Sequence, residues 1–125
     1  MIKIGIPKEI YAGETRVTLV PRMVAQLKSE DREVLVETDA GKGAAFLNHE
    51  YELAGAKIVT ETETLFRESD VVFKINPPQM NDIKGKHEVD LMKLGSTYIG
   101  LLAPLQNRDI VQKMLEKKIT SFALE

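Results

Sequence analysis

The 125-residue chain has no cysteine and no tryptophan, and aromatic residues make up only 6% of it. Without cysteine there is no disulfide scaffold and no thiolate zinc site. The 2 histidines are too few and too far apart to form a metal cluster. No apolar run approaches the roughly eighteen residues that suggest a membrane span. The opening MIKIGIPKE lacks a charged leader followed by a long apolar segment, so the default address is the cytoplasm. An excess of one charge is also missing. The 17 basic and 19 acidic residues are mixed along the chain for a net charge of -2, which leaves no basic stripe and excludes nucleic acid as an expected partner.

What is present suits one globular domain. Hydrophobic residues reach 43%, and a chain of this length buries roughly two thirds of its unfolded surface. Short Ile/Val-rich runs alternate with longer segments of helical spacing, the pattern of βα units around a mainly parallel sheet. Strands are predicted at Ile2–Ile6, Glu33–Glu37, Lys57–Val59, Asp70–Ile75, Ser96–Leu101 and Ile119–Ala123. Most are apolar on both faces, as burial between two helical layers requires. The fold class is therefore α/β, a Rossmann-like or flavodoxin-like open sheet with helices on both faces. Pro21 opens a helix that carries Met23, Val24 and Leu27 on one face. Asn48 is the expected N-cap of a helix through Ala54 closed by Gly55, and Thr60 that of a helix from Glu61 to Arg67 with Glu63 as its capping-box partner. Asn107 is the expected cap of the last helix. Pro77–Lys93 has no clear period. The final ITSFALE reads as a buried strand, and an open sheet would normally place a loop and a further helix after it.

Ligands of open α/β sheets bind beyond the carboxyl ends of the strands, so chemistry is sought in the loops there. The first, PKEIYAGETR, holds Lys8, Glu9, Glu14 and Arg16. An arginine here is suited to a carboxylate through two parallel N–H bonds, but pairing with Glu14 or Glu9 is the simpler outcome. In the second, the glycine fingerprint starting at Gly41 is met at Gly43 and fails at Phe46. It reads as a turn with positive backbone dihedrals and not as a phosphate cradle, and no Walker sequence occurs. In the third, DVVFKINPP, Lys74 lies within an apolar strand. Its ammonium has to reach solvent along its stem or meet a negative group. His49 and His87 read as surface residues, and Glu9 and Asp39 as capping or paired carboxylates.

Four segments, IGIPKEIYAGETRVTLVP, VETDAGKGAAFLNHEYELAGAKIV, SDVVFKINPP and GSTYIGLLAPLQNRDIVQKMLEKKITSFALE, occur in order over the whole chain. Together they strongly resemble the start of the family uniting alanine dehydrogenase with the NAD-binding alpha subunit of proton-translocating nicotinamide nucleotide transhydrogenase. The resemblance implies that residues 1–125 are an N-terminal domain that packs against a separate dinucleotide-binding domain, missing here through a fragment or a truncation, with NAD in the cleft between them. It also implies that Arg16 and Lys74 match the arginine and lysine that hold the substrate carboxylate in alanine dehydrogenases. Those enzymes carry a catalytic histidine where this chain has Gly100. The departure points to the transhydrogenase branch, in which hydride passes directly between NADH and NADP+. On that reading Arg16 and Lys74 line the inter-domain cleft. The expected partners are the missing domain, the membrane and NADP-binding subunits, and a second copy of the full subunit. The expected place is the cytoplasmic side of the inner membrane, and the 125 residues alone are expected to be inactive and to hold no cofactor. The alternatives are the N-terminal domain of alanine dehydrogenase or a related amino-acid dehydrogenase, and a stand-alone binding module without catalysis.

Overall fold

A computed structural model describes residues 1–125. In chain order the elements are β1 (Ile2–Ile6), α1 (Pro21–Leu27), β2 (Arg32–Glu37), α2 (Asn48–Leu53), β3 (Lys57–Val59), α3 (Thr62–Glu68), β4 (Val71–Phe73), β5 (Met80–Asn81), β6 (Lys86–His87), α4 (Glu88–Leu91), β7 (Thr97–Gly100), α5 (Arg108–Glu116) and β8 (Thr120–Ala123). Six strands form one sheet in the order β3-β2-β1-β4-β7-β8, and every pairing in it is parallel. This is the Rossmann strand order, with the direction of travel reversing between β1 and β4. All six strands predicted from sequence are found, within a residue or two at the ends.

Alternation along the strands sorts the core into two layers. Ile6, Val34 and Val36 point to one face and pack with Leu19, Val24 of α1 and Tyr51 of α2. Leu35 points to the other and meets Leu65 of α3. Val72 and Tyr98 pack on that second face with Phe66, Val89, Ile110 and Met114 from α3, α4 and α5. Right-handed crossovers, near-universal between parallel strands, account for the division: connections moving toward β3 lie on one face and those moving toward β8 on the other.

The same rule leaves half of the first face bare. The register sets Phe73, Ile99 and Phe122 in one row, with Phe122 at the edge 57% exposed. All four residues of β8 are exposed, so the expectation of a buried final strand is corrected: no element pairs with its outer edge or covers this face.

Pro21 occupies the first turn of α1 as expected. Three capping assignments shift. Leu47 precedes α2, and its N–H donates to the Glu50 carboxylate at 2.7 Å, while Asn48 lies inside the helix and ties back to Thr38 and Asp39. α3 starts at Thr62 after Glu61, so Thr60 and Glu63 form no capping box. Asn107 does precede α5, but its amide donates to the Leu102 and Ala103 carbonyls instead of capping. Gly55, with φ of 103°, closes α2 as expected.

Gly5 sits under α3, where an added Cβ would lie 1.8 Å from Ser69 Oγ. Gly5→Ala is therefore expected to destabilise the domain by about 1–3 kcal/mol, read as a lower urea midpoint at unchanged m-value. An unchanged midpoint would show that α3 yields freely.

Candidate functional site

The reversal of strand order brings the loops after β1 and β4 side by side, and a single side chain joins them. Glu9, from the β1 loop, accepts from Lys74 Nζ at 3.1 Å, Ile75 N at 2.8 Å and Asn76 N at 3.1 Å. Three donors converging on one carboxylate compensate its removal from water, since its side chain is only 4% exposed. Lys74 follows the last residue of β4, and its backbone N–H still joins the ladder through Ile99 O at 3.0 Å. Its side chain, 1% exposed, runs under the loops to a second carboxylate, Glu88 at the start of α4, with Nζ 3.4 Å from Oε1. Of the two outcomes open to this lysine, it meets negative groups and does not reach solvent.

Arg16 has a different environment. It grips Glu14 through Nε at 2.9 Å and Nη2 at 2.8 Å while its side chain stays 63% exposed. The paired guanidinium holds the Glu14 carboxyl far below its usual range, with further help from the Arg16 N–H and Asn76, and Glu14 in turn raises Arg16. Asn76 donates to both Glu9, at 3.3 Å, and Glu14, at 3.0 Å. The fold thus links Arg16, Glu14, Asn76, Glu9, Lys74 and Glu88 in one polar chain, with the arginine at its open end and the lysine at its closed end.

Glu88 also accepts from Gln79 N at 3.0 Å, which pins the β5–β6 hairpin segment over the site. Burial pushes the Glu88 carboxyl up, opposed by Lys74. Above the lysine, Tyr98 Oη lies 2.6 Å from Leu101 O and 3.1 Å from Asn76 O, and burial raises its pKa strongly. The approach of β7 to this cluster depends on Gly100: an added Cβ would stand 2.2 Å from Lys74 O and 2.7 Å from Tyr98 Oη.

An open cleft of about 400 Å³ lies beside the cluster, lined by Lys8, Glu9, Glu37, Asp39 and Lys84 among others. In a dinucleotide-binding Rossmann unit the acid ending β2 faces a ribose, and the β1 turn offers amides to phosphate. Here Glu37 is used internally, accepting from Lys8 N at 2.9 Å and Thr62 Oγ1 at 2.6 Å. That amide and that acid are thus both occupied within the domain. The Gly41–Gly43 turn departs from the expected glycine conformation. Its positive φ values fall on Asp39 and Ala45, and the glycines serve as space, Gly41 against the Tyr51 ring and Gly43 against the Thr15 backbone. Tyr51 there donates to Leu19 O at 2.8 Å, and burial raises its pKa to about 12.

His49 is exposed, as read from sequence, but His87 is buried. Its Nδ1 accepts from Val89 N at 3.1 Å, capping α4, which requires an unprotonated ring. Neither the capping histidine nor Glu88 was recognisable in the sequence, because both lie in the stretch with no clear period.

The segments that carry the site match a known domain. The family model described as "Alanine dehydrogenase/PNT, N-terminal domain" matches residues 5–125. The chain belongs to this family. Among relatives, it is 38% identical over 124 residues to an NAD(P) transhydrogenase alpha subunit polypeptide of Rhodospirillum rubrum, covering 99% of this chain and 32% of that one. It is 39% identical over 125 residues to the alanine dehydrogenase of Staphylococcus epidermidis, with the same coverage of 99% and 32%. Superposition on the transhydrogenase from Sinorhizobium meliloti gives a TM-score of 0.85 at 30% identity, over 97% of this chain and 34% of that one. An L-alanine dehydrogenase gives 0.84, also at 30% identity, over 98% and 32%. This alanine dehydrogenase/PNT N-terminal domain thus spans about a third of the length of the relatives it matches.

Glu9→Ala leaves Lys74 with Glu88 as its one carboxylate and strands three loop donors, and is expected to cost about 1–3 kcal/mol in chemical denaturation, the range for leaving a buried polar group unpaired. Arg16→Ala, at an exposed pair, should leave the midpoint almost unmoved. Equal effects of the two would contradict the division into a closed and an open end.

Burial, with Lys113 adding to it, holds the His87 pKa below its ordinary 6.5. The unfolded chain then takes up the proton first, so the stability His87 contributes is present above pH 6.5 and lost as pH falls toward its folded value. Glu88 works in the opposite sense: its raised pKa gives stability present below its ordinary 4.5 and lost as pH rises through the folded value. As pH falls below 6.5, His87→Asn should lose less of its urea midpoint than the wild type does, the difference isolating the histidine from the opposing Glu88.

Proposed function

We propose that this domain forms one wall of the nicotinamide-nucleotide crevice in a transhydrogenase of the alpha-subunit type, the full reaction being hydride transfer between NADH and NADP+. The observation that carries this reading is the contact at Gly100. By resemblance this position matches the catalytic histidine of alanine dehydrogenases, and here any side chain would run into the Lys74 carbonyl. Direct transfer between two nicotinamides needs no protein acid at that point, so a glycine is compatible with it. The occupied Glu37 and Lys8 groups support the second part of the reading, that the dinucleotide is held by another domain and only faced by this one.

In this role Arg16, at the open end of the polar chain, faces the cofactor crevice, and Lys74 supports the wall from behind. NAD is then the cofactor of the complete assembly. Membrane and NADP-binding subunits, and a second copy of the alpha subunit, are its partners. No helix here is long and apolar enough to cross a membrane, so association with the inner membrane would go through those partners. The 39% identity to an alanine dehydrogenase favours a second reading, a substrate-carboxylate wall with Arg16 and Lys74 as the clamp.

Exchange of domains separates the two. Replacing the matching segment of the Rhodospirillum rubrum alpha subunit polypeptide with this chain should retain NADH binding and hydride transfer in the reconstituted enzyme. Replacing that of the Staphylococcus epidermidis alanine dehydrogenase should abolish alanine oxidation. The reverse pattern would refute the reading. For the 125 residues alone, calorimetric titration is expected to show no NADH affinity tighter than roughly millimolar, since contacts from one wall leave most of the association cost uncompensated. Micromolar binding would contradict it.

A further inference from the structure

The two edges of the sheet are protected differently. β3 is short and opens with the exposed Lys57, a charge that discourages another strand from adding there. β8 has no such device. Its residues TSFA carry no charge and no proline, all four are exposed, and β7 is its single neighbour. Thr120 N donates to Ser96 O at 3.1 Å and Leu124 N to Gly100 O at 3.0 Å. Alternation along a parallel ladder therefore turns the N–H and C=O groups of Ser121 and Ala123 outward, where they are free to form a second ladder. We propose that β8 is a self-association edge: it pairs antiparallel with β8 of a second copy of this chain about a two-fold axis through Phe122, joining the two six-stranded sheets into one.

Symmetry, packing and charge choose this occupant and this register. Residues directly opposite in a ladder share a face, so a two-fold axis normal to the sheet requires one residue to face its own copy. With Phe122 on the axis, Ser121 of each copy faces Ala123 of the other and exchanges both hydrogen bonds with it, which satisfies every outward group of the two residues. The Phe122 side chains, 57% exposed in one copy, then meet on the bare face as a cross-strand aromatic pair, with Leu124, also exposed, opposite Thr120. On the other face an apolar groove of about 310 Å³ runs between α5 and β8, lined by Leu102, Val111, Met114 and Leu115 among others. It reaches Ser121 and Ala123, so the same pairing brings it toward its counterpart. Charge sets the direction. β8 is preceded by Lys117 and Lys118 and followed by Glu125. An antiparallel partner brings the lysines of one copy near the glutamate of the other, whereas a parallel strand of the same sequence would set like charges together. β4 and β7 separate this edge from β1 and its loop, and the inference does not rest on the transhydrogenase reading.

Sedimentation velocity on the 125-residue chain is expected to show a monomer–dimer equilibrium with a dissociation constant of roughly 1–100 µM, as suits a small interface. Phe122→Lys sets two like charges face to face on the axis, and should weaken the dimer by about tenfold or more while the circular dichroism of the monomer stays the same. Because the chain has no cysteine, introduced thiols report the register directly. The Cα atoms of the two Phe122 residues come about 4.5 Å apart in this register, within disulfide range. F122C is therefore expected to cross-link to itself in air. S121C and A123C, which both retain Phe122, should cross-link when mixed and far less when either is oxidised alone. A wild type that is still monomeric at about 1 mM would leave the edge to a partner of another kind and overturn the proposal. A dimer as tight in F122K as in the wild type would overturn it by placing the contact elsewhere, and self-linking of S121C as fast as that of F122C would overturn the register. If F122K does not fold, the mixed S121C and A123C experiment decides alone: without cross-linked heterodimer, the proposal fails.

Discussion

The site depends on one buried carboxylate. Glu9 stands where the sheet reverses its winding, and its bonds to Lys74, Ile75 and Asn76 fix the end of β4 relative to the end of β1. In an open parallel sheet those two loops diverge, and the gap between them is the usual ligand crevice. Here it is closed at the bottom by charge. Everything above it follows: Asn76 is oriented to reach Glu14, Glu14 holds Arg16 at the mouth, and Lys74 is drawn down to meet Glu88.

This arrangement gives one cation shelter and leaves the other exposed. The buried pair is costly to assemble and costly to break, so it specifies geometry more than it adds stability. The exposed pair adds little to stability and costs little to break. Two residues that look equivalent in the sequence as candidate clamps therefore differ sharply in what they can do, and the difference comes from burial alone.

The strands were legible because burial on both faces forces runs such as VLVE and DVVF, and their order of appearance fixed the α/β class. The pairing of Arg16 with Glu14 was legible as a local possibility. The partners of Lys74 were not, since Glu9 lies 65 residues away and only the winding of the sheet brings it near. Residues 77–93 were opaque for a related reason: α4 is too short to show a period although Val89, Leu91 and Met92 enter the core, and the hairpin before it is tied through Glu88 to Gln79 N. The exposure of β8 was missed because a strand's composition reports the environment it is suited to, which is the covered sheet, and not which neighbours are present.

The close approach at Gly100 bears on what the end of β7 can accept. With the Lys74 carbonyl 2.2 Å from where a Cβ would sit, a histidine cannot be installed by exchanging one codon. The end of β4 has to retreat first, and that retreat would pull apart the ladder bond from Lys74 N to Ile99 O and the Tyr98 contacts beside it. A side chain at this position is thus excluded by the backbone of the neighbouring strand, and any substitution there has to loosen the sheet first.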